Sequence, residues 1–177
     1  MKDDRGDIED QILVMDAQDG DAGAMEKLVS RWQKRLWQHA FRLTVDQTAA
    51  WDITQQSWLG IIKGLRKLHD PANFKVWAYR ITTNKSIDWL KNKSKDQHIS
   101  LDSIENDCCQ RNDDLRVKEL VQRLKNDSRA VLSLYYFEQL SISEISITLK
   151  IPQGTVKSRL FKARDELKQL WEKYFDN

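Results

Sequence analysis

Apolar side chains recur at helical spacing along most of this 177-residue chain. Positions spaced i, i+3, i+4 and i+7 indicate the buried stripe of an amphipathic helix. After acidic turns that begin near residue 7, the longest such stripe predicts a first helix, and it comprises Met25, Leu28, Val29, Trp32, Leu36, Ala40 and Leu43.

Two further stripes predict helices over residues 46–68 and 73–92. The first stripe comprises Trp51, Trp58, Ile62 and Leu65, and the second comprises Phe74, Trp77 and Ile81. The break between them reads HDPAN, residues 69–73. Pro71 disfavours helical backbone at Asp70, and Asn73 can cap the helix that follows.

The pattern changes between Ser94 and Asp114, where few large apolar residues occur and no period is sustained. Such a stretch is typical of a linker. Helices resume as a pair over residues 115–125 and 128–138, with a small core predicted from Leu120, Leu124, Val131, Leu134 and Tyr135.

The predicted fold is therefore all-α, with two small helical domains joined by a flexible linker. We expect the first domain at residues 1–94, the linker at 95–114 and the second domain at 115–177. Only six Gly and two Pro occur in the chain, which fits helices better than a β-sandwich with many turns.

The stretch LSISEISITLKI, residues 140–151, is ambiguous by periodicity. Its apolar residues nearly alternate, and its β-branched content favours a strand. Ser141 followed by Glu144 is a capping box, which instead predicts a helix with Ile145 and Leu149 facing the core. The short connector at residues 150–153 suits a tight turn into a second helix.

That next helix separates its side chains by type. Val156, Leu160, Ala163 and Leu167 share the buried stripe, while Thr155, Ser158, Arg159 and Lys162 share another face, flanked by Lys157 and Arg164. Considered without its neighbours, this helix would be interpreted as an amphipathic surface helix with solvated Lys and Arg side chains. Behind a capped helix and a tight turn, it predicts a helix-turn-helix domain whose hydroxyls and cations reach the DNA major groove.

Charge is distributed unevenly along the chain. The net charge of +2 combines −6 over residues 1–30 with +8 over residues 31–100, and such a basic segment indicates a polyanionic partner. Cations lie near Trp77 and Trp89 in the third helix, as on surfaces that bind single-stranded nucleic acid. The alternative is that both rings are core anchors, which we favour for Trp77, whereas Asn84 is better explained by function.

Another helical face is polar but almost uncharged. Asp52, Gln55, Gln56 and Leu59 are spaced i, i+3, i+4 and i+7. Because a solvated face normally carries more charge, a protein contact is one interpretation. An ordinary surface is the other, and the spacing alone leaves both open.

Several classes of function are not supported by the sequence. No run of about 18 apolar residues predicts a membrane span, and the acidic N-terminus predicts no secretory signal. The scattered His39, His69 and His98 and the adjacent Cys108 and Cys109 lack metal-ligand spacing. No nucleophile–base grouping or glycine-rich phosphate loop occurs. We therefore expect a cytoplasmic protein that is not an enzyme, with no metal, cofactor or small-molecule substrate.

Three motifs together resemble bacterial RNA polymerase sigma factors of the extracytoplasmic-function type. The stretch LSISEISITLKIPQGTVKSRLFKARDEL is similar to that family's C-terminal helix-turn-helix, and GTVKSRLFKAR is its most specific part. WDITQQSWLGIIKGL is similar to the helix that grips the polymerase clamp. FKVWAYRITTNKSIDWLK resembles the segment that melts and reads the downstream promoter element. The resemblance covers almost the whole chain.

The resemblance implies three binding sites. Asp52, Gln55, Gln56 and Leu59 would contact the polymerase clamp. Arg80, Asn84 and Lys85, with Asn73 of the 69–73 loop, would engage the minus-ten element and hold a base turned out of the stack. The minus-thirty-five element would meet Thr155, Lys157, Ser158, Arg159 and Lys162.

The implied partners are core RNA polymerase, promoter DNA and an anti-sigma factor, and the implied function is promoter recognition, DNA melting and transcription initiation. The alternative is a stand-alone helix-turn-helix regulator. Such a regulator would need a dimer to read two half-sites, and the sequence contains no heptad seam for one.

Overall fold

The computed structural model describes residues 4–96 and 119–175, and these two ranges contain helices and turns but no strand. The all-α prediction is confirmed. The predicted linker lies outside the described residues except at its start, as do His98, Cys108 and Cys109. In the first range the elements are α1 (Asp4–Gln18), α2 (Ala22–Thr44), α3 (Gln47–Gly64), 3-10 turns at Leu65–Lys67 and Pro71–Asn73, and α4 (Phe74–Asp96).

The second range begins with helical residues 119–123. It continues with α5 (Asn126–Leu132), a π-helical turn (Ser133–Phe137), α6 (Ile142–Leu149) and α7 (Gln153–Phe175). None of the described helices is both long and apolar enough to cross a bilayer.

Helix α2 forms the centre of the first domain. Its predicted stripe is confirmed, because Leu28, Trp32 and Leu36 are buried at the middle of the helix. Asp21 caps the helix by accepting hydrogen bonds from the backbone N–H groups of Gly23 and Ala24, at 2.7 and 3.2 Å. Helices α1, α3 and α4 pack around it.

The acidic segment before α2 is a helix, so the prediction of turns was wrong there. Val14 of α1 is fully buried, and Asp10 is buried although it is charged. Its carboxylate accepts hydrogen bonds from Arg31 Nε at 2.8 Å and Trp32 Nε1 at 2.9 Å. These bonds come from α2, so the helix is stabilised by tertiary contacts that its own sequence pattern does not reveal.

The predicted stripe of α3 is partly wrong. Trp58 and Leu65 are buried, but Trp51 is 46% exposed and Ile62 is 49% exposed. The buried face is rotated toward small and hydroxyl side chains such as Ser57, whose hydroxyl donates to a carbonyl of its own helix. Because such residues need no solvent when their hydroxyl is satisfied internally, counting large apolar residues places the face incorrectly.

The break before α4 is organised by Asp70 rather than by Asn73. Asp70 Oδ1 accepts from the Ala72 N–H at 3.0 Å, and its Oδ2 accepts from Asn73 Nδ2 at 2.9 Å. Asp70 is thus the cap of the Pro71–Asn73 turn that leads into α4. The side-chain oxygen expected at Asn73 is supplied three residues earlier.

The core predicted for the second domain is divided in the structure, because Leu124 packs in a small cluster of that domain, whereas Val131 and Leu134 belong to a larger cluster shared with the first domain. A buried Arg129 ties the first two helical segments of the second domain together by donating to the Gln122 carbonyl at 2.8 Å and to Asn126 Oδ1 at 2.6 Å. Burial lowers the pKa of this guanidinium. The predicted core residues are all buried except the half-buried Tyr135: Leu120, Leu124, Val131 and Leu134.

The two domains pack directly against each other. Helix α4 of the first domain lies on α6 of the second. Phe74 and Tyr79 belong to the same continuous buried cluster as Leu134, Leu140 and Ile145. The structure is therefore a closed arrangement in which the second domain covers one side of α2 and α4.

The capping box of α6 gives a direct test of local stability. Ser141 Oγ accepts from the Glu144 N–H at 3.2 Å, and Glu144 Oε2 accepts from the Ser141 N–H at 2.7 Å. We expect Ser141→Ala to lower the free energy of unfolding by about 1 kcal/mol, measured by urea denaturation. Ser143→Ala is the matched control, because that exposed hydroxyl only accepts a 3.5 Å bond from Gln153. Equal losses in both variants would contradict a capping role.

Candidate nucleic-acid and polymerase interfaces

A tight turn joins α6 to α7. Lys150 ends α6 in the left-handed region, with φ 54° and ψ 45°, and its N–H bonds to the Ser146 carbonyl. Ser146 Oγ donates to the Ile151 carbonyl at 2.7 Å. These bonds satisfy backbone groups at the end of α6 and in the turn, and they stabilise the turn that sets the orientation of α7 relative to α6.

The inner side of α7 matches its predicted stripe. Val156, Leu160 and Ala163 are buried, and Leu167 is half-buried toward the end of the helix. Ile145 of α6 packs in the same buried cluster as Val156 and Leu160. The helix-turn-helix pair is therefore built as the sequence predicts.

The outer side of α7 carries the predicted DNA-reading residues. At about 100° per residue, the direction opposite the buried stripe is centred on Ser158. Lys157, Ser158 and Lys162 are exposed, whereas Thr155 and Arg159 are half-buried at one edge. The structure thus brings these five residues onto one broad surface, with Lys157 at the opposite edge from Arg159.

Two arginines of α7 are held by other helices. Arg159 Nη2 lies 2.9 Å from Asp127 Oδ2 of α5, and its side chain is 34% exposed. Arg164 Nε donates to the Tyr136 hydroxyl at 2.9 Å. Arg159 is therefore directed toward α5, while Arg164, which the sequence placed beside the proposed DNA surface, is directed toward the π-helical turn.

Phe161 was not predicted as a site residue. Its side chain is 76% exposed, the largest exposure among the large apolar residues that the structure describes. It lies about 60° around the helix from Ser158, between that residue and Lys157. A large aromatic ring outside the buried stripe was the signal in the sequence that could have identified it.

The predicted minus-ten residues do not form one face. Asn84 is exposed and Arg80, one helical turn earlier, is half-buried on the same side of α4. Lys85 lies about 100° further around the helix and is half-buried. Asn73 is exposed at the turn before α4, with its amide held by Asp70.

Two threonines next to Asn84 point inward. Thr82 and Thr83 are fully buried. The Thr83 hydroxyl lies 2.8 Å from His39 Nε2. Trp89 packs against a separate small core near Ile53, with the Lys93 ammonium 4.6 Å from the centre of its ring. For Trp89, the alternative of a core anchor is therefore the correct one.

The exposed face of α3 is larger and more apolar than predicted. Leu59 is 58% exposed, and the misplaced Trp51 and Ile62 lie on the same side of the helix. A patch that mixes exposed apolar and neutral polar side chains is typical of a protein contact. This observation favours the protein-contact interpretation of Asp52, Gln55, Gln56 and Leu59, all of which are exposed.

No cluster of three metal-ligating side chains occurs within residues 4–96 and 119–175. The surfaces described above are instead polar, cationic or apolar contact faces on helices. Such faces can bind nucleic acid or protein.

Comparison with known proteins shows which family the chain belongs to. Residues 28–96 match Sigma-70 region 2, and residues 114–167 match Sigma-70, region 4. The chain is 27% identical to RNA polymerase sigma-H factor of Pseudomonas aeruginosa, with 90% of this chain and 92% of that protein covered. It is 26% identical to ECF RNA polymerase sigma factor SigW of Bacillus subtilis, with 85% and 90% covered.

Solved structures have the same fold. CnrH, in complex with the cytosolic domain of CnrY, matches with a TM-score of 0.71 at 24% identity, covering 94% of this chain and 99% of CnrH. RpoE of Bartonella quintana, in complex with the anti-sigma factor NepR, matches with a TM-score of 0.72 at 19% identity, covering 84% and 96%. This chain belongs to the sigma-70 family as an extracytoplasmic-function sigma factor, a transcription initiation factor that directs RNA polymerase to promoters.

Proposed function

We propose that this sigma factor binds core RNA polymerase through α3 and reads two promoter elements, one with α4 and one with α7. The observation that carries the proposal is the outer face of α7, whose first two turns contain hydroxyls and cations but no acidic residue, behind a capped helix and a tight turn. Arg159 pairs with an acid of another helix, Asp127 of α5. In this role the chain supplies binding energy and no catalytic group. Its place is the cytoplasm, where bacterial polymerase meets promoter DNA.

The minus-thirty-five element is assigned to α7. Arg159 and Lys162 reach base edges and phosphates in the major groove, and Thr155, Lys157 and Ser158 add shorter or flanking contacts. The exposed Phe161 is suited to apolar contact with a thymine methyl group. Contact with DNA would remove this ring from water, which favours binding.

The minus-ten element is assigned to the first domain. Arg80 and Asn84 form one contact face on α4, and Lys85 and Asn73 lie on either side of it. Opening the duplex costs a few kcal/mol per unstacked step, and capture of an exposed base offsets that cost. Asn73, whose amide is fixed by Asp70, is well placed on an exposed turn to contact such a base.

The partners follow from the α3 face and from the solved relatives. Asp52, Gln55, Gln56 and Leu59 would contact the polymerase clamp. CnrH and RpoE were solved with CnrY and with the anti-sigma factor NepR, and we extend an anti-sigma partner to this chain. We also propose that residues 1–94 form the domain that binds polymerase and reads the minus-ten element. Residues 95–114 would form the linker, and residues 115–177 the domain that reads the minus-thirty-five element.

The proposal is tested by mixing the purified chain with core polymerase. We expect the two to co-elute in gel filtration, and the mixture to initiate run-off transcription from specific promoters. Absence of a complex would contradict it. Tight binding to duplex DNA without polymerase would instead favour a stand-alone regulator.

Leu59 tests the clamp contact separately. We expect Leu59→Ala to weaken binding to core polymerase about tenfold, because Leu59 projects from the exposed α3 face, and a hot-spot side chain at the centre of an interface costs more than about 1 kcal/mol when it is truncated. Titration of labelled protein with core polymerase measures it. Ile12→Ala is the matched control, since Ile12 is 48% exposed on α1, a different helix. Equal affinities of the two variants for core polymerase would show that the α3 face does not contact polymerase.

A further inference from the structure

Helix α1 presents an apolar stripe to solvent, on the side opposite its buried residue Val14. The stripe comprises Ile8, Ile12 and Met15, each of which is exposed. At about 100° per residue, these three side chains lie within about 60° of one another around the helix. Single exposed apolar residues are ordinary on a protein surface, whereas a contiguous patch rimmed by polar residues marks an interaction site.

A groove between α1 and the first half of α2 adjoins the stripe. Ile12 and Leu13 of α1 line one wall, and Gly23, Lys27 and Ser30 of α2 line the other. Leu13 is half-buried and packs against the core of the first domain. The apolar surface of α1 is therefore continuous from the exposed stripe to the core.

The helix that carries the stripe is fixed at two points. Gln18 Nε2 donates to the carbonyls of Leu65 and Leu68, at 2.8 and 2.7 Å. One helical face earlier, Asp10 accepts the bonds from α2 described above. Because α1 is already ordered, a partner that binds the stripe need not pay the entropy of ordering it.

Acidic side chains border the stripe and the groove. Lys27 is an exposed cation in the groove wall, and Arg31 is balanced by its pairs with Glu9 and Asp10 at 2.9 and 2.8 Å. Residues 1–30 carry a net charge of −6, so the surroundings of the stripe are negative. The rim consists of Glu9 and Asp16 on one side of the stripe, Asp7 on the other, Asp19 at its C-terminal end and Glu26 across the groove.

This combination of an apolar stripe and an acidic rim selects the occupant. Nucleic acid and anionic lipid are negatively charged, so the rim repels both. A second copy bound through the same patch would bring two acidic rims together, which is unfavourable. An amphipathic helix with Lys and Arg beside its apolar face matches the site in both respects, because its apolar anchors meet the stripe while its cations meet the rim.

We propose that the stripe and the adjoining groove bind a cationic amphipathic helix of a partner protein other than core polymerase. The polymerase contact proposed above lies on α3, whose exposed face is apolar or neutral apart from Asp52, so the two faces suit partners of different charge. Both faces can be occupied together. A partner on α1 is then carried to promoters, a consequence that rests on the proposed function.

Fluorescence anisotropy of a labelled peptide with the full chain tests the site. The probe is a designed helix of about 18 residues, made of Leu and Lys with Leu at i, i+3, i+4 and i+7. One control peptide has the same composition in an order without a stripe, and another has Glu in place of Lys. We expect micromolar binding of the probe and binding of both controls that is about tenfold weaker or more.

Variants of the chain locate the binding site. We expect Ile12→Ala to weaken binding of the probe about tenfold, whereas Ile147→Ala, a matched change at an exposed isoleucine of α6, should not. Asp16→Asn combined with Glu26→Gln should weaken it about threefold and reduce its salt dependence. Glu172→Gln is the control for charge, because this exposed acid lies on α7.

Unchanged affinity in both α1 variants, or equal binding of the control peptide without a stripe, would overturn the proposal. Displacement of the probe by core polymerase, binding of the chain to phosphatidylglycerol vesicles through Ile12, or a dimer that Ile12→Ala dissociates would also overturn it, since each assigns the stripe to another occupant. These measurements with the probe need no promoter. A chain that binds the probe but not polymerase would contradict the proposed function alone, and Ile12→Ala should leave polymerase affinity intact.

Discussion

Replacing Arg159 and Lys162 together with alanine is expected to reduce initiation at promoters of this sigma factor by roughly thirtyfold or more. Each side chain is a cation on the outer surface of α7, and loss of one base or phosphate contact typically costs about 1–3 kcal/mol. Run-off transcription should be compared on templates with an intact and a scrambled minus-thirty-five element. The wild type should distinguish these templates, and the double variant should not.

Loss of folding would not explain that result. Arg159 also pairs with Asp127, but that carboxylate is 71% exposed, so the ion pair contributes little to stability. Lys168→Ala is the matched control, because Lys168 is an exposed cation of the same helix that lies beyond the predicted surface. If template choice survived in the double variant, α7 would not be the reading helix.

Trp32→Ala is expected to lower the free energy of unfolding by about 4 kcal/mol, a large share of the roughly 5–15 kcal/mol of an ordinary domain. Trp32 is 1% exposed, and its ring meets Phe74 edge-on at 5.3 Å and Tyr79 at 5.7 Å. The variant leaves a cavity and also removes the N–H donor to buried Asp10. Urea denaturation followed by circular dichroism measures the loss.

Two other tryptophan variants separate the causes of that loss. Trp32→Phe keeps most of the packing but loses the hydrogen bond to Asp10, and we expect it to cost about 1–2 kcal/mol. Trp51→Ala removes a ring that is 46% exposed, so it should change stability little while weakening polymerase binding. If Trp32→Ala and Trp51→Ala destabilised the chain equally, the assignment of Trp32 to the core would be wrong.

The sequence predicted the elements in which local and tertiary preferences agree. The α2 stripe around Leu28, Trp32 and Leu36 is confirmed, because large apolar residues that recur at the helical period leave water only when that side of the helix is buried. The helix-turn-helix is confirmed. The capping box of Ser141 and Glu144 correctly predicted a helix where the alternating apolar residues suggested a strand. The exposed residues of α7 were identified because its buried stripe left a face without acids.

The errors occur where a residue is buried by contacts from elsewhere in the chain. Helix α1 is stabilised where Asp10 accepts hydrogen bonds from two donors of α2. A buried carboxylate of this kind cannot be predicted from the local sequence pattern. Trp51 was predicted as buried because it falls in an apolar stripe at helical spacing, whereas Ser57 was overlooked because it is polar. Thr83 is a neighbour of the exposed Asn84 in the sequence, yet its hydroxyl meets His39 in the interior.

By itself, the sequence determined the helical class, the division into two helical units, and the cationic and neutral faces that assign this chain to its family. Periodicity, caps and charge act over a few residues, so they can be read along the chain. Only the tertiary structure decided that Glu138 is buried against His39 and Arg42, residues almost a hundred positions away. That contact depends on how two separately patterned domains pack, and the cost of burying a charge makes it specific to the closed arrangement.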